Sequence, residues 1–374
     1  MPDRFQHFQL ALEQRTEAGT LRTLKSRPTG IDFYSNDYLG LARNEELQNI
    51  LLKKVMEQPC LLSGSTGSRL ISGNSHEAEE TEKYIAHTHH YPSALLFPSG
   101  YNANLALFST LPTRHDTLIV DEQIHRSVHD ACRMSHARKL KFRHNDVGNL
   151  EEILQKQSGL CYIAIESLYS MEGDLALIKE IAAIADRYGA ALIVDEAHAL
   201  GVFGHGLVTE YQLQQQVFAA VVTYGKAFGA HGAAILSSEL IKKYLINFAS
   251  PFIYTTSAQD MQWAAIKASY DFIKNHLELS VQLQENIKIF RKQGFLSPSS
   301  ENSPIQPIVI PDNEKLRKTH QILLEKGMVT YPVYSPTVKS GTERLRICLH
   351  SFNTEEEIVK LAEILKQCKG ELNN

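Results

Sequence analysis

The stretch 190–226 constrains the fold more strongly than any other part of the chain. It contains the apolar run 191–194, in which apolar and polar residues do not alternate, and a second apolar run at 221–222. Runs of this kind are typical of strands that are buried on both faces of a parallel sheet. Ligands bind beyond the carboxyl ends of such strands, so the polar residues after both runs are predicted to meet at one edge. These residues are Asp195, His198, Thr223 and Lys226.

An acid, an imidazole, a hydroxyl and an amine at one sheet edge favour a pyridoxal phosphate site. The amine can form an imine, the acid can keep the pyridine nitrogen protonated, and the hydroxyl can reach the phosphate. Two ordinary interpretations compete with this one. An aspartate after a core strand is often a helix N-cap, and a Gly-Lys pair is often a solvated turn. These four residues alone therefore leave both interpretations open.

Composition narrows the class of protein. The chain has 374 residues, 43% hydrophobic and 21% charged, which is long enough for more than one globular domain. Its net charge of -4 does not favour a nucleic acid or an anionic membrane as partner. The five cysteines show no paired spacing, which does not favour a disulfide framework. The first twelve residues contain no signal-peptide core, and no apolar stretch is long enough to span a bilayer. We therefore expect a cytoplasmic protein.

Strand-like and helix-like segments alternate through most of the chain, which predicts an α/β fold with a mostly parallel central sheet flanked by helices. The C-terminal third differs, because strands at 305–310 and 344–349 surround a helix at 313–326, and a last helix begins at Thr354 with a capping box. A first helix is expected within 3–18 and a long helical stretch within 258–295. The predicted division is an N-terminal helical segment at 1–42, a large cofactor-binding domain at 43–275 and a smaller α+β domain at 276–374.

Two further segments invite specific interpretations. The turn Ser99-Gly100-Tyr101 precedes a predicted helix, whose free backbone N–H groups can bind a phosphate. The glycine-rich segment 64–74 lacks the Gly-Lys-Ser/Thr ending of a nucleotide-binding loop. His125 and His129 have the spacing of zinc ligands on a helix, but the glutamate of the metalloprotease motif is absent. We expect no metal site.

Several motifs in a fixed order resemble those of the α-oxoamine synthases, which are pyridoxal phosphate enzymes of fold type I. The resemblance runs from about residue 10 to residue 365. The matching segments are 35–41, 64–74, 97–101, 166–174, 194–198, 223–229, 253–256 and 336–346.

This resemblance implies a role for individual residues. Lys226 resembles the lysine that carries the cofactor, Asp195 the partner of the ring nitrogen, His198 the partner of the ring oxygen, and His125 the histidine that stacks on the ring. These four are the expected catalytic residues. The other expected cofactor-binding positions are Ser99, Gly100, Tyr101, Ser170, Thr223, Thr255 and Thr256. The positions that resemble substrate contacts are Arg22, Asn36, Thr337 and Arg346.

The resemblance also implies a reaction and its partners. The family condenses an amino acid with an acyl thioester and releases carbon dioxide. Segments 64–74 and 34–41 favour the members that use L-alanine and a pimeloyl thioester, on coenzyme A or on acyl carrier protein, in biotin synthesis. The family further implies a homodimer in which Thr255 and Thr256 reach the phosphate in the partner's site.

Other functions remain open at this point. Within the family they are glycine C-acetyltransferase, serine palmitoyltransferase and 5-aminolevulinate synthase, and more distantly an aminotransferase of fold type I. A pyridoxal-binding regulator without turnover is a candidate from another class, although such regulators carry a basic DNA-binding module ahead of the fold. A Rossmann NAD protein is disfavoured because no Gly-x-Gly-x-x-Gly follows the first strand.

Overall fold

A computed structural model describes residues 4–24, 26, 28–335 and 338–371 of the chain. The strands in this part are β1 Ile31–Asp32, β2 Ser93–Phe97, β3 Thr117–Asp121, β4 Arg138–Phe142, β5 Cys161–Glu166, β6 Ala191–Asp195, β7 Ala219–Thr223, β8 Ala233–Ser237, β9 Ile305–Val309, β10 Met328–Val329, β11 Tyr331–Val333 and β12 Arg344–Cys348. The helices are α1 Gln6–Glu17, α2 Glu45–Glu57, α3 His76–Thr88, α4 Gly100–Thr110, α5 Arg126–Met134, α6 Val147–Leu154, α7 Ile178–Arg187, α8 Leu207–Glu210, α9 Glu239–Phe248, α10 Ser250–Ile253, α11 Asp260–Asn275, α12 Glu278–Arg291, α13 Asn313–Glu325 and α14 Glu355–Glu371.

A seven-stranded sheet forms the centre of the molecule, in the order β2-β8-β7-β6-β5-β3-β4. The neighbours from β7 to β4 are parallel, whereas β8 runs antiparallel to both β2 and β7. The prediction of a mostly parallel α/β sheet is therefore confirmed. Because β3, β5, β6 and β7 point the same way, their carboxyl ends lie along one edge of the sheet.

Burial on both faces explains the unbroken apolar runs of the sequence. In β6, Leu192 and Val194 enter one apolar cluster while Ala191 and Ile193 enter a second, so the strand supplies both faces of the sheet. Helices cover these faces, and the exposed fraction of each of the four side chains is at most 6%.

Strand β4 was not predicted, although it pairs in parallel with β3. Its sequence carries three basic residues among five, and only Phe142 is buried. β4 is one of the two edge strands of the sheet, where charged side chains are common because they discourage pairing with another chain. Its sequence therefore lacks the apolar run on which the other strands were recognised.

A second, three-stranded antiparallel sheet lies in the C-terminal part, in the order β11-β12-β9. Strand β1 is not part of it but pairs in parallel with β10. The backbone N–H of Phe33 donates to Val329, and the N–H of Cys348 donates to the carbonyl of Phe33. The segment around 31–33 thus packs with the C-terminal part of the chain. The boundaries between the three predicted domains stay a prediction.

The predicted helices form, with two differences in detail. The stretch 258–295 contains two helices, α11 and α12, with a break at His276 and Leu277. The helix expected within 3–18 is α1, but Phe5 at its N-cap and Phe8 in its first turn are 66% and 58% exposed. The capping box of the last helix is confirmed, because Thr354 and Glu357 exchange hydrogen bonds between side chain and backbone. Within the described residues, no helix combines the length and apolar character needed to cross a membrane.

Candidate active site

A cavity of about 220 Å³ lies at the carboxyl ends of the parallel strands. Eight of the residues predicted from the sequence line it together. They are Ser99, Gly100, Tyr101, His125, Asp195, His198, Thr223 and Lys226. The structure therefore brings together the groups that end strands β6 and β7 and those that begin helices α4 and α5.

The wall formed by the start of α4 suits a phosphate group. Ser99 is the N-cap, and its side chain accepts a hydrogen bond from the backbone N–H of Asn102. Gly100 and Tyr101 follow in the first turn, where backbone N–H groups have no partner within the helix. A Cβ atom on Gly100 would lie 2.5 Å from Cγ2 of Thr223, so only glycine allows this turn to approach β7 so closely.

Asp195 is held by hydrogen bonds to both of its carboxylate oxygens. Asn104 donates from Nδ2 to Oδ2 at 2.9 Å, and the backbone N–H of Ala197 donates to Oδ1 at 2.9 Å. Asp195 is 7% exposed. This carboxylate is fixed in orientation before any ligand binds.

His125 is the N-cap of α5 and stays exposed at the cavity. Its Nδ1 lies 2.8 Å from Oγ of Ser127 and accepts from the backbone N–H of the same residue. Nδ2 of Asn104 also donates to Oγ of Ser127, which connects the histidine to Asp195. The surrounding protein removes water from part of the ring and so lowers the pKa of His125, and the negative charge of Asp195 opposes this shift.

Lys226 has an amine that gives up its proton more readily than an exposed lysine does. Burial lowers its pKa to about 8, although the charges of Asp195 and Glu166 act in the opposite direction. Glu166, which also lines the cavity, shows the converse effect. Its pKa is raised to about 8 by burial and by the charge of Asp195. One of its oxygens, Oε1, is buried without a hydrogen-bond partner among the described residues.

Next to the cavity lies a hydrogen-bonded group that connects His198 to Arg346. Oη of Tyr38 is 2.8 Å from Nδ1 of His198. Arg346 donates from Nε to the carbonyl of Ser170 at 2.7 Å and from Nη2 to Oδ1 of Asn36 at 3.0 Å. The predicted substrate residues Asn36 and Arg346 and the predicted cofactor residue Ser170 are thus directly connected, although none of them lines the cavity.

The loop that carries Ser170 is held by an imidazole between two carboxylates. His144 contacts Asp121 at the end of β3 through Nδ1, at 2.9 Å, and Asp174 through Nε2, at 2.8 Å. These contacts raise the pKa of His144 to about 10 against the opposing effect of burial. The ring of Tyr169 packs edge-on against His144, with 4.4 Å between the centroids. A charged histidine therefore fastens loop 167–176 to the sheet.

Three predicted residues lie elsewhere, and a fourth has no described position. Thr255 and Thr256 follow α10 and are absent from the described residues that line the cavity. Arg22 is exposed in the extended segment after α1 and is likewise absent from this set. Thr337 lies outside the described residues. The roles given to these four positions stay predictions.

Three residues at the site were not assigned a role from the sequence. Glu166 ends β5 just as Asp195 ends β6, so the same strand-end rule could have identified it. Asn104 lies inside α4 and Tyr38 lies in an irregular segment far away in sequence. No periodicity or spacing points to these two residues, because their role depends on contacts between distant segments.

Known proteins with similar sequences or structures identify the family. A family model described as aminotransferase class I and II matches residues 28–365. An 8-amino-7-oxononanoate synthase from Emericella nidulans is 37% identical to this chain, covering 95% of the chain and 93% of that relative. Another from Marinobacter nauticus is 33% identical, covering 98% of the chain and 97% of the relative.

Comparison with solved structures points to the same family. An 8-amino-7-oxononanoate synthase from Francisella tularensis has a TM-score of 0.79 and 30% identity, covering 92% of this chain and 99% of that chain. A serine palmitoyltransferase from S. paucimobilis has a TM-score of 0.88 and 24% identity, covering 99% of this chain and 98% of that chain. At this level of identity, the similarity supports the fold alone. The predicted type I fold and the resemblance to α-oxoamine synthases are confirmed. The chain belongs to the aminotransferase class I and II family.

Proposed function

We propose that the protein is a pyridoxal phosphate-dependent acyltransferase of biotin synthesis. It condenses L-alanine with a pimeloyl thioester and gives 8-amino-7-oxononanoate, carbon dioxide and the free thiol. The observation that carries this proposal is the convergence of the Lys226 amine, the Asp195 carboxylate and two histidines on one cavity. The choice of product rests on relatives of that name at 33–37% identity.

The residues at the cavity fit pyridoxal phosphate. The first turn of α4 offers backbone donors, and Gly100 keeps that turn close to Thr223, whose hydroxyl can also reach a phosphate. Asp195, His125 and His198 supply a fixed carboxylate and two imidazoles for the ring, with Ser170 nearby. When bound, the cofactor supplies an electron sink for the carbanion that forms at the α-carbon of the amino acid.

Asp195 and His125 would both hold the ring of the cofactor. The carboxylate of Asp195 is oriented by Asn104 and by Ala197, so it can hold the proton of a ring nitrogen without reorganisation. His125 is exposed at the cavity and oriented by Ser127, which suits an aromatic ring laid against another ring.

Lys226 is the group that removes the α-proton. A pKa of about 8 leaves an appreciable part of the amine neutral near pH 7, so its Nζ can accept a proton. The neighbouring carboxylate of Asp195 stabilises the ammonium that results. The same amine is the attachment point for the cofactor between turnovers.

Arg346 is the residue that we assign to the carboxylate of the amino acid. It is 5% exposed, and its guanidinium already donates to three oxygens, on Asn36, Ser170 and Tyr38. A planar fork of donors pairs bidentately with a carboxylate, which can replace these oxygens. Asn36 would then be free to contact the substrate.

The partners of the reaction complete the proposal. We propose a homodimer in which Thr255 and Thr256 contact the phosphate bound by the partner subunit, since neither lines the cavity of its own chain among the described residues. The acyl group arrives on coenzyme A or on acyl carrier protein, and we place the protein in the cytoplasm. Arg22 and Thr337 remain proposed substrate contacts.

A product assay tests the function directly. The purified holoenzyme is incubated with alanine, glycine or serine, each with acetyl-, pimeloyl- or palmitoyl-coenzyme A and with pimeloyl-acyl carrier protein. Thiol release and product mass are measured. We expect 8-amino-7-oxononanoate from alanine and a pimeloyl donor. Because a pocket discriminates one methyl group by only about 1–3 kcal/mol, some turnover of glycine is also expected. A clear preference for glycine with acetyl-coenzyme A, or for serine with palmitoyl-coenzyme A, would overturn the assignment.

A further inference from the structure

Tyr38 lies between His198, which lines the cavity, and Arg346, to which the carboxylate of the amino acid is assigned. Its side chain is 0% exposed. Its phenolic oxygen is 2.8 Å from Nδ1 of His198, 3.1 Å from Oδ1 of Asn36 and 3.4 Å from Nη2 of Arg346. The roles proposed above for His198 and Arg346 make no use of this residue. Its contacts nevertheless decide which hydrogen bonds those two side chains can make.

The donors and acceptors around Tyr38 limit which hydrogen bonds its hydroxyl can make. The guanidinium of Arg346 carries only donors, so the oxygen of Tyr38 accepts from it. Oδ1 of Asn36 already accepts from Nη2 of Arg346 at 3.0 Å. Tyr38 has a single proton to donate, and burial raises its pKa, so that proton is retained. Of the two acceptors within reach, Nδ1 of His198 is the nearer one and has no other hydrogen bond to a described residue.

His198 then has only one possible form. Burial and the charge of Lys226 lower its pKa, so the imidazole is neutral and carries a single N–H. If Nδ1 accepts from Tyr38, the proton must be on Nε2. His198 also lines the cavity, and Nε2 is the ring nitrogen left available to a ligand there.

We infer that Tyr38 is a positioning residue that fixes His198 as its Nε2–H tautomer, so that His198 presents a hydrogen-bond donor to an oxygen of the ligand bound in the cavity. The inference deepens the proposed function and rests on it for the identity of that ligand. The tautomer itself is a property of this chain's residues alone. Loss of the phenol would leave both tautomers of His198 accessible and the donor only partly present.

The test is nitrogen NMR on the full-length protein labelled with ¹⁵N-histidine, both as the holoenzyme and after removal of the cofactor. Comparison with His198→Gln identifies the His198 signals. We expect protonated Nε2 and unprotonated Nδ1 in the wild type, and a mixture of tautomers in Tyr38→Phe. We also expect kcat/KM for alanine to fall about tenfold in Tyr38→Phe, as for the loss of one hydrogen bond.

Tyr91→Phe is the matched control. Tyr91 is also a buried tyrosine, but its hydroxyl has no hydrogen-bond partner among the described residues. This variant should keep both the His198 signals and the turnover of the wild type.

Protonated Nδ1 in the wild type would overturn the inference even if Tyr38→Phe failed to fold, and so would an unchanged tautomer in a folded Tyr38→Phe. Neither outcome involves an acyl thioester. The inference about the tautomer can therefore fail while the proposed reaction stands, and the proposed reaction can fail while the tautomer is as inferred.

Discussion

Glu166 and Asp195 are paired residues on the neighbouring parallel strands β5 and β6. Two carboxylates therefore lie side by side at the sheet edge, beside the amine of Lys226. Asp195 has a hydrogen-bond donor on each oxygen, whereas Oε1 of Glu166 is buried with no partner in the described part of the chain. Burial and the charge of Asp195 raise the pKa of Glu166 to about 8.

Replacing Glu166 by glutamine should flatten the pH dependence of stability. The folded protein holds the carboxyl proton up to about pH 8, while the unfolded chain releases it near 4.5. The wild type therefore loses stability as the pH rises through this window, and Glu166→Gln should lose less. Urea unfolding at several pH values between 5 and 9 measures the change. The exposed Glu57→Gln serves as control and should follow the wild type. An equally steep decline in Glu166→Gln would refute the shift.

Lys226→Ala should abolish formation of 8-amino-7-oxononanoate. The variant loses both the group that accepts the α-proton and the covalent attachment of the cofactor. Mass spectrometry after borohydride reduction should find the cofactor attached to the wild type and not to the variant. Attachment to some other lysine in Lys226→Ala would show that the assignment is wrong.

Asp195→Asn should bind the cofactor yet exchange the α-proton of alanine at least a hundredfold more slowly. Both oxygens of Asp195 accept hydrogen bonds from N–H donors, so an amide must direct its own NH₂ group toward one of them. It also lacks the charge that holds a proton on the ring nitrogen. Proton exchange of deuterated alanine, followed by NMR, gives the rate. A near-normal rate would contradict the role proposed for the carboxylate.

His144→Gln should lower the free energy of unfolding at pH 7 by about 3 kcal/mol, the usual cost of removing one member of a buried ion pair. The pKa of His144 is raised to about 10, from 6.5. Its contribution in the wild type is therefore complete below pH 6.5 and lost as the pH rises through about 10. Denaturant unfolding between pH 6 and 10.5 measures this loss, which should be absent from the variant. His76→Gln, at an exposed position, is the control.

Mixing two inactive variants tests the proposed exchange of Thr255 and Thr256 between subunits. Lys226→Ala has no amine, and the double variant Thr255→Ala/Thr256→Ala should bind the cofactor more weakly. In a mixed dimer, one site would combine the intact lysine with the partner's intact threonines. Activity should therefore reappear on mixing at low cofactor concentration. Light scattering should report a dimer throughout, and a fully active monomer at assay dilution would contradict the proposal.

The sequence predicted those parts of the site that lie on single strands. Asp195 and Thr223 end buried strands, and buried runs in a parallel sheet are recognisable without a structure. Glu166 obeys the same rule, because it ends the buried strand β5, although it was assigned no role from the sequence. Tyr38 could not be found in this way, because its contacts with His198 and Arg346 span 160 and 308 positions of the chain.

Two differences between the predicted and the observed strands and helices have physical causes. Strand β4 is an edge strand whose basic residues mask its apolar pattern, so only its neighbour β3 reveals it. The break between α11 and α12 at His276 carries no glycine or proline, which are the usual signals for the end of a helix.

The pairing of β1 with β10 has a consequence for the order in which the protein is made. A ribosome releases the segment around Ile31 early, but its partners at Met328 and beyond emerge only near the end of synthesis. Tyr38 follows this early segment and Arg346 belongs to the late one. The central sheet can therefore assemble while the chain is still growing, whereas the contacts around Arg346 can form only when synthesis is nearly complete.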